Sequence, residues 1–109
     1  MIAKLIEVHV RADCEAAYRA AQAIWDRETL RDPACLGSFT GADPDRGDVI
    51  WVAVLWRTRS AYDRWMAEEH DRIAAEAGAE RYYDRIKVRI LDAAALDSRL
   101  AEFLGCKDR

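Results

Sequence analysis

Apolar and polar residues alternate over the first ten positions of the chain, where isoleucine and valine are frequent. This period of two predicts a β-strand from Ile2 to Val10. One face carries Ile2, Lys4, Ile6, Val8 and Val10, and the other carries Ala3, Leu5, Glu7 and His9. Further strands are predicted over residues 35–41, 49–56 and 82–91. Because residues 49–56 are almost wholly apolar, we expect a central strand covered on both faces.

The segment from residue 14 to residue 30 follows the helical period of about 3.6 residues instead. Asp13 is its predicted N-cap, because a short carboxylate can accept hydrogen bonds from the first helical amides. We expect one broad side to carry Ala17, Tyr18, Ala21, Ile24 and Trp25. Arg19 and Asp26 are predicted to lie on the opposite side, and Gln22 on the flank.

A second helix is predicted over residues 60–77. Ser60 and Asp63 resemble a capping box at its start, and Gly78 supplies a C-cap. Beyond the fourth strand, apolar residues at helical spacing predict an accessory helix over residues 93–105. They are Leu96, Leu100, Phe103 and Leu104.

The predicted element order is β-α-β-β-α-β with a C-terminal helix. This order is that of the ferredoxin-like α+β fold, in which both helices cover one face of an antiparallel sheet. A chain of 109 residues forms a single domain, residues 1–109. Its bare sheet face needs a cover, and a second copy of the chain provides one, so we expect a homodimer.

Composition narrows the classes of partner. Charged residues make up 34% of the chain and hydrophobic residues 51%, with a net charge of -3 and no basic stripe, which argues against nucleic acid. No apolar run is long enough for a membrane span, and no signal peptide is evident, so a cytoplasmic location is expected. Cys14, Cys35 and Cys106 lack the spacing of a disulfide framework or a zinc site, and no metal site is predicted.

Several short motifs carry a family resemblance that covers roughly residues 2–92. A strand ends in Trp56, and Ser60-Ala61-Tyr62, Trp65 and His70 follow on the second helix; Pro33-Ala34-Cys35-Leu36-Gly37 resembles the family's entry to the second strand, with Ala34 in place of glycine. In these features the chain resembles the dimeric α/β-barrel proteins of the antibiotic-biosynthesis monooxygenase type. It is most similar to an uncharacterised bacterial branch, whose helix patterns resemble residues 21–25 and 66–73.

The resemblance implies a ferredoxin-like subunit that forms a dimeric α/β barrel and requires no cofactor. The family includes cofactor-free monooxygenases that convert phenolic intermediates to quinones, and it includes haem-degrading enzymes. The haem-degrading branch matches less well. Its catalytic histidine falls where this chain has Ala75, and the first strand lacks that branch's asparagine.

His70 is the candidate catalytic residue. At 100° per residue it lies about 80° from Tyr62, the centre of the second helix's apolar face, so it can border a pocket between helix and sheet. An imidazole can accept and return a proton near neutral pH. The alternative interpretation is that His70 lies at the edge of the buried face and is hydrogen-bonded to the backbone, without a functional role. The predicted substrate-binding residues are Gln22, Trp25, Trp56, Trp65 and Met66.

Two charged groups have more structural interpretations. Asp71 follows His70 directly, and adjacent helical residues do not face each other, so a solvated or interface ion pair is favoured over a dyad. Glu7 and His9 share a face of the first strand, opposite the basic face of the fourth. Cross-strand pairing near a dimer interface is expected there, and an anion-binding pocket wall is the alternative.

Three functions are compatible with these residues. The first is a cofactor-independent monooxygenase that acts on a small aromatic or enolisable molecule. The second is a non-catalytic ligand-binding or stress-linked dimeric module, which would lack convergent polar groups. The third is a lyase or isomerase that uses the same pocket.

Overall fold

The computed structural model of the chain describes residues 1–93. Four strands form one antiparallel sheet in the order β2-β3-β1-β4, which is the ferredoxin-like arrangement. The predicted fold class is confirmed. The strands are β1 (Ile2–Val10), β2 (Cys35–Ala42), β3 (Val49–Trp56) and β4 (Tyr83–Asp92). The helices are α1 (Glu15–Thr29), α2 (Arg59–Glu68) and α3 (His70–Ala77), and a 3-10 turn (Ala79–Tyr82) precedes β4. The predicted accessory helix lies outside the described residues.

The strand register separates the side chains into a helix-covered face and an open face. On the covered face Val8 and Val52 are each 1% exposed, and Trp56 is fully buried at the end of β3. On the open face of β3, Trp51 is 38% exposed. The prediction that β3 is central is therefore confirmed. Within one chain the helices among residues 1–93 cover one of its faces, so cover on the other face stays a prediction that depends on a partner.

Both helix starts differ from the predicted caps. Cys14 occupies the N-cap position of α1 and makes no side-chain capping bond, while Asp13 has a positive φ of 64°. At α2, Thr58 is the N-cap, and its hydroxyl accepts a hydrogen bond from the Ala61 amide at 3.1 Å. Ser60 lies inside the first turn. The chain leaves β3 in extended geometry at Thr58, and this backbone shape decides which hydroxyl reaches the orphan amides.

The single helix predicted over residues 60–77 is interrupted at one residue. Glu69 has a φ of -120° and a ψ of -31°, which ends α2 and begins α3 at His70. Gly78 ends α3 in the left-handed region at φ 58°, as predicted, because glycine has no Cβ to clash there. In the part of the chain described, no helix is long and apolar enough to span a membrane.

Candidate functional site

A cavity of about 240 Å³ lies between the helices and the covered face of the sheet. Its volume is smaller than that of a typical drug-sized pocket, so it suits a small ligand. The wall combines apolar strand residues with aromatic side chains and with polar groups from α1, α3 and two of the strands. Of the predicted site residues, it includes Gln22, Trp25, Trp56, Trp65 and His70. The structure thus brings five of the six together.

Met66 is the predicted site residue that does not line this cavity. It packs against the core from α2, and its Sδ lies 3.9 Å from Nζ of Lys4. The buried side chains of α2 are Tyr62 and Trp65, whereas Met66 is only partly buried and contacts the cavity-lining Lys4 without lining the cavity itself.

Three tryptophans form a continuous aromatic wall. The Trp65 ring lies between the rings of Trp25 and Trp56, with centroid separations of 6.2 Å and 5.2 Å. Such tilted contacts suit the quadrupoles of aromatic rings. The indole N–H groups of Trp56 and Trp65 are buried and have no acceptor among the described residues. The wall therefore presents aromatic surface together with two buried N–H donors that no described residue satisfies.

His70 completes the wall at its solvent edge. Its ring lies 5.2 Å from Trp25 and 5.7 Å from Trp65, edge-on to the latter, and its side chain is 30% exposed. Nδ1 lies 3.1 Å from a carboxylate oxygen of Asp71. Our expectation that these adjacent side chains do not meet is wrong, although Asp71 is fully solvated, as expected. Asp71 lies in the first turn of α3 with its carboxylate exposed, so its side chain can rotate towards the His70 ring.

The Asp71 contact assigns roles to the two imidazole nitrogens. An ionised carboxylate can only accept hydrogen bonds, so Nδ1 of His70 carries the proton in this pair. In the neutral imidazole this tautomer leaves the lone pair on Nε2, which has no hydrogen-bond partner among residues 1–93. A base is thereby available at the rim of the cavity.

A polar chain runs along α1 on the opposite side of the cavity. Tyr18 donates to Oε1 of Gln22 at 2.9 Å, and Gln22 donates to Asp26 at 2.9 Å. Ser38 of β2 donates to the same Asp26 oxygen at 2.7 Å. Burial and the Asp26 charge raise the pKa of Tyr18, so the phenol stays protonated as a donor. The Gln22 amide is thus already bonded within the protein.

Asp26 lies on a different side of α1 from the one that the sequence predicts. We predicted it on the side of α1 opposite the apolar residues, but it lines the cavity. Positions 18, 22 and 26 repeat every four residues and so form one stripe on a helix. A tyrosine, an amide and a carboxylate at that spacing are the signal that identifies this chain of polar groups.

Lys4 is a cavity residue that lies outside the predicted site. It is 8% exposed, and its Nζ lies 5.3 Å from the ring centre of Tyr62 and 5.6 Å from that of Trp65. No carboxylate of the described residues forms an ion pair with it. Burial lowers the pKa of Lys4. The sequence signal is a lysine in phase with Ile2, Ile6 and Val8, because that face of a strand is otherwise apolar.

The open face carries a paired set of charges instead. Nε2 of His9 lies 2.6 Å from Glu7, and Arg46 lies 3.6 Å from the same carboxylate. His9 is opposite Arg85 in the β1–β4 register, at 3.3 Å, and Glu7 is opposite Lys87. The hydrogen bond with His9 lowers the pKa of Glu7, and the two nearby cations add to this effect. The two strands are neighbours, as predicted, and a hydrogen bond between Arg85 and His9 joins them, but the ion pairs of Glu7 are with His9 and Arg46. A dimer interface at this face stays a prediction.

Known structures with the same fold include several oxygenase-type proteins. SnoaB, a cofactor-independent oxygenase from Streptomyces nogalater, aligns with a TM-score of 0.74 at 13% identity, over 85% of this chain and 92% of that chain. Rv0793 from Mycobacterium tuberculosis aligns at 0.70 and 22% identity, over 84% and 92%. An antibiotic biosynthesis monooxygenase aligns at 0.69 and 19%, over 86% and 99%. At these identities the likeness confirms the fold resemblance alone.

No curated protein matches the chain significantly. A family model described as a domain of unknown function, DUF4937, matches residues 2–91. That range covers all four strands and the helices between them. The chain therefore belongs to the DUF4937 family.

Proposed function

We propose that this protein is a cofactor-independent oxygenase that acts on a small aromatic or enolisable molecule. The observation that supports this most is the pairing of a tryptophan-walled cavity with an imidazole whose Nε2 has no partner among the described residues. An apolar wall excludes water from a reactive anion, and a histidine at the rim can remove a proton from a bound substrate.

In this reaction the substrate supplies all the electrons. His70 removes a proton from an activated C–H or O–H group, leaving a delocalised anion. The anion reduces dioxygen, and a carbon–oxygen bond forms to give a hydroperoxide, which takes a proton back. Loss of water from the hydroperoxide leaves a carbonyl, so one oxygen atom enters the product and the other leaves as water. A methylene thus becomes a ketone, as in quinone formation.

Dioxygen uptake with enolisable aromatic probes tests this function. We expect the protein to accelerate uptake with anthrone or 1-naphthol above the uncatalysed rate, and ¹⁸O from labelled dioxygen to appear in the product. His70→Gln should lower the rate by about 10²–10⁴-fold, because general base catalysis contributes roughly that factor. The matched control is His9→Gln, which removes the chain's other histidine, on the open face.

The outcomes separate the candidate reactions. A probe that changes without dioxygen uptake indicates isomerase or lyase chemistry in the same cavity. A probe that binds and remains unchanged indicates a binding module. If His70→Gln retains full turnover, His70 is not the base.

We also infer that two copies of the chain pair through their open faces. Phe39, Trp51 and Leu91 are 38–45% exposed there. The charges of Glu7 and His9 lie among them, each largely shielded. Such an apolar surface needs a cover, and one sheet on its twin provides it. Sedimentation at micromolar concentration should give a dimer mass; a monomer would contradict the proposal.

The cytoplasm remains the predicted location.

A further inference from the structure

We propose that Lys4 binds the negatively charged oxygen of an aromatic substrate, such as a carboxylate, enolate or phenolate, in the cavity between the helices and the sheet. This inference deepens the proposed function and rests on it for the use of the cavity as a substrate site. It assigns the substrate class: a planar, mostly apolar molecule that carries one anionic oxygen.

Among residues 1–93, no carboxylate compensates the charge of Lys4. Its cross-strand neighbours on the covered face are Val54 on β3 and Ile90 on β4, both apolar. From α2 it meets the faces of Tyr62 and Trp65. Such cation–π contacts offset only part of the cost of burying an ammonium ion. A structural lysine would be expected to have a carboxylate partner.

The other charged groups of the cavity determine what ligand Lys4 can take. Asp26 and Glu80 also line the wall, and the Asp26 carboxylate already accepts bonds from Gln22 and Ser38. Neither carboxylate forms an ion pair with Lys4. Their charges disfavour a second anionic group on the ligand, whereas Lys4 attracts a single anionic oxygen. The remaining tryptophan wall suits an aromatic body.

The anion also fits the proposed chemistry. Removal of a proton by a base produces negative charge on the substrate, and a fixed ammonium stabilises that charge most strongly in a site that excludes water. Burial lowers the pKa of Lys4, so the free ammonium is less stable than usual and gains more from a bound anion. His70, Tyr18 and Tyr83 are the other titratable groups that line the cavity.

A pair of probes with the same shape isolates the charge. 2-Naphthoate and its neutral amide, 2-naphthamide, have the same ring system, and their binding can be followed by quenching of tryptophan fluorescence. We expect the protein to bind the anion about 10- to 100-fold more tightly than the amide. Lys4→Met keeps the side chain's length and removes its charge, so the preference should fall to about one while affinity for the amide persists.

Arg19→Met is the matched control. It removes one positive charge from the exposed side of α1, where Arg19 pairs with Glu15 at 3.6 Å. The anion preference should remain in this variant if it arises at Lys4 and not from the overall charge. An undiminished preference in Lys4→Met would overturn the proposal, and so would failure of the wild type to bind either probe at millimolar concentration.

A second measurement observes Lys4 directly. The chain contains three lysines, at positions 4, 87 and 107, so lysine labelled with ¹³C at Cε gives three resolvable signals. The Lys4 signal is identified by its loss in Lys4→Met. Naphthoate should shift this signal and move its titration to higher pH, because a bound anion favours the ammonium form, and naphthamide should not. An unperturbed Lys4 signal in the naphthoate complex would contradict the inference.

The two proposals can fail separately. Binding of naphthoate through Lys4 without dioxygen uptake on any probe would end the oxygenase proposal and leave the anion site. Dioxygen uptake with an anionic probe that has the same KM and kcat in Lys4→Met would retain the oxygenase and remove Lys4 from its site.

Discussion

On the covered face of the sheet Lys4 lies buried with no carboxylate partner among residues 1–93, whereas on the open face Glu7 and His9 are 2.6 Å apart and Arg46 lies 3.6 Å from the same carboxylate. Both faces are built from the same strands. The difference in their charges therefore reflects what we propose that each face contacts, which is a ligand on the covered face and a second protein surface on the open face. Glu7, His9 and Arg46 already compensate one another, so this part of the open face can be buried against another protein surface at little cost. A face with an unpaired charge in a cavity gains only when a ligand arrives.

Replacement of one tryptophan on each face should reveal the difference between the two faces most clearly. Trp56 is fully buried against Tyr62 and Trp65, at 5.9 Å and 5.2 Å. We expect Trp56→Ala to lower the free energy of unfolding by about 3–5 kcal/mol. Trp51→Ala should cost much less in dilute protein, about 1 kcal/mol, mainly through the lost bond to Asp43 at 2.9 Å. Urea denaturation of both variants measures the difference, and equal losses would contradict the assignment of the two faces.

The open face can be tested through its association. Ala53 lies at the centre of this face, opposite Leu5 on β1 and Phe39 on β2. An arginine there should repel or displace a partner sheet, so Ala53→Arg should weaken dimerisation about 100-fold or more, or roughly 2.7 kcal/mol. Ala20→Arg on the exposed side of α1 is the control. Sedimentation equilibrium gives both dissociation constants; equal values would place the interface elsewhere.

On the covered face, we expect Lys4 to lower the free energy of unfolding of the protein. We expect Lys4→Met to raise the free energy of unfolding by about 1–3 kcal/mol at neutral pH, because it removes a buried, unpaired ammonium. A decrease would show that Lys4 has a stabilising role in the fold.

The same variant gives a pH dependence with a definite sign. The pKa of Lys4 is lowered by burial, below the value of about 10.4 in an unfolded chain. Between these two values the unfolded state binds more protons, so the stability of the wild type rises with pH. The advantage of Lys4→Met should therefore shrink as pH rises towards about 10. Tyr18, whose pKa is raised, lowers stability above that range in both proteins. Urea midpoints at several pH values measure the difference, and a constant gap would contradict it.

Most of the fold could be predicted from sequence because period-two and period-3.6 patterns report directly on the covered face. The bounds of β1 and β3 and the αL cap at Gly78 follow from such local rules. The break at Glu69 could not be predicted, because the apolar stripe continues across it and no glycine or proline marks it.

The candidate site was predictable in part for the same reason. His70 and the tryptophans border an apolar stripe, and a helical projection finds them. Lys4 is harder to recognise, since alternation assigns it to a face but does not reveal that no carboxylate from another element will meet it. The contact between His70 and Asp71 depends on side-chain torsions, which the average helix geometry does not contain.

The smallest expected effect concerns how α2 is fastened over the covered face. Thr58 accepts the Ala61 amide at 3.1 Å, whereas Ser60 makes no capping bond to backbone. Thr58→Ala should therefore cost about 1 kcal/mol in the free energy of unfolding, and Ser60→Ala only a few tenths. Because α2 carries Trp65 into the cavity wall, a frayed first turn should also weaken probe binding at Lys4 before the open face is affected. Urea denaturation and naphthoate titration of the two variants test these expectations. A larger loss of unfolding free energy in Ser60→Ala than in Thr58→Ala would show that Ser60, which the sequence pattern favoured, is the N-cap.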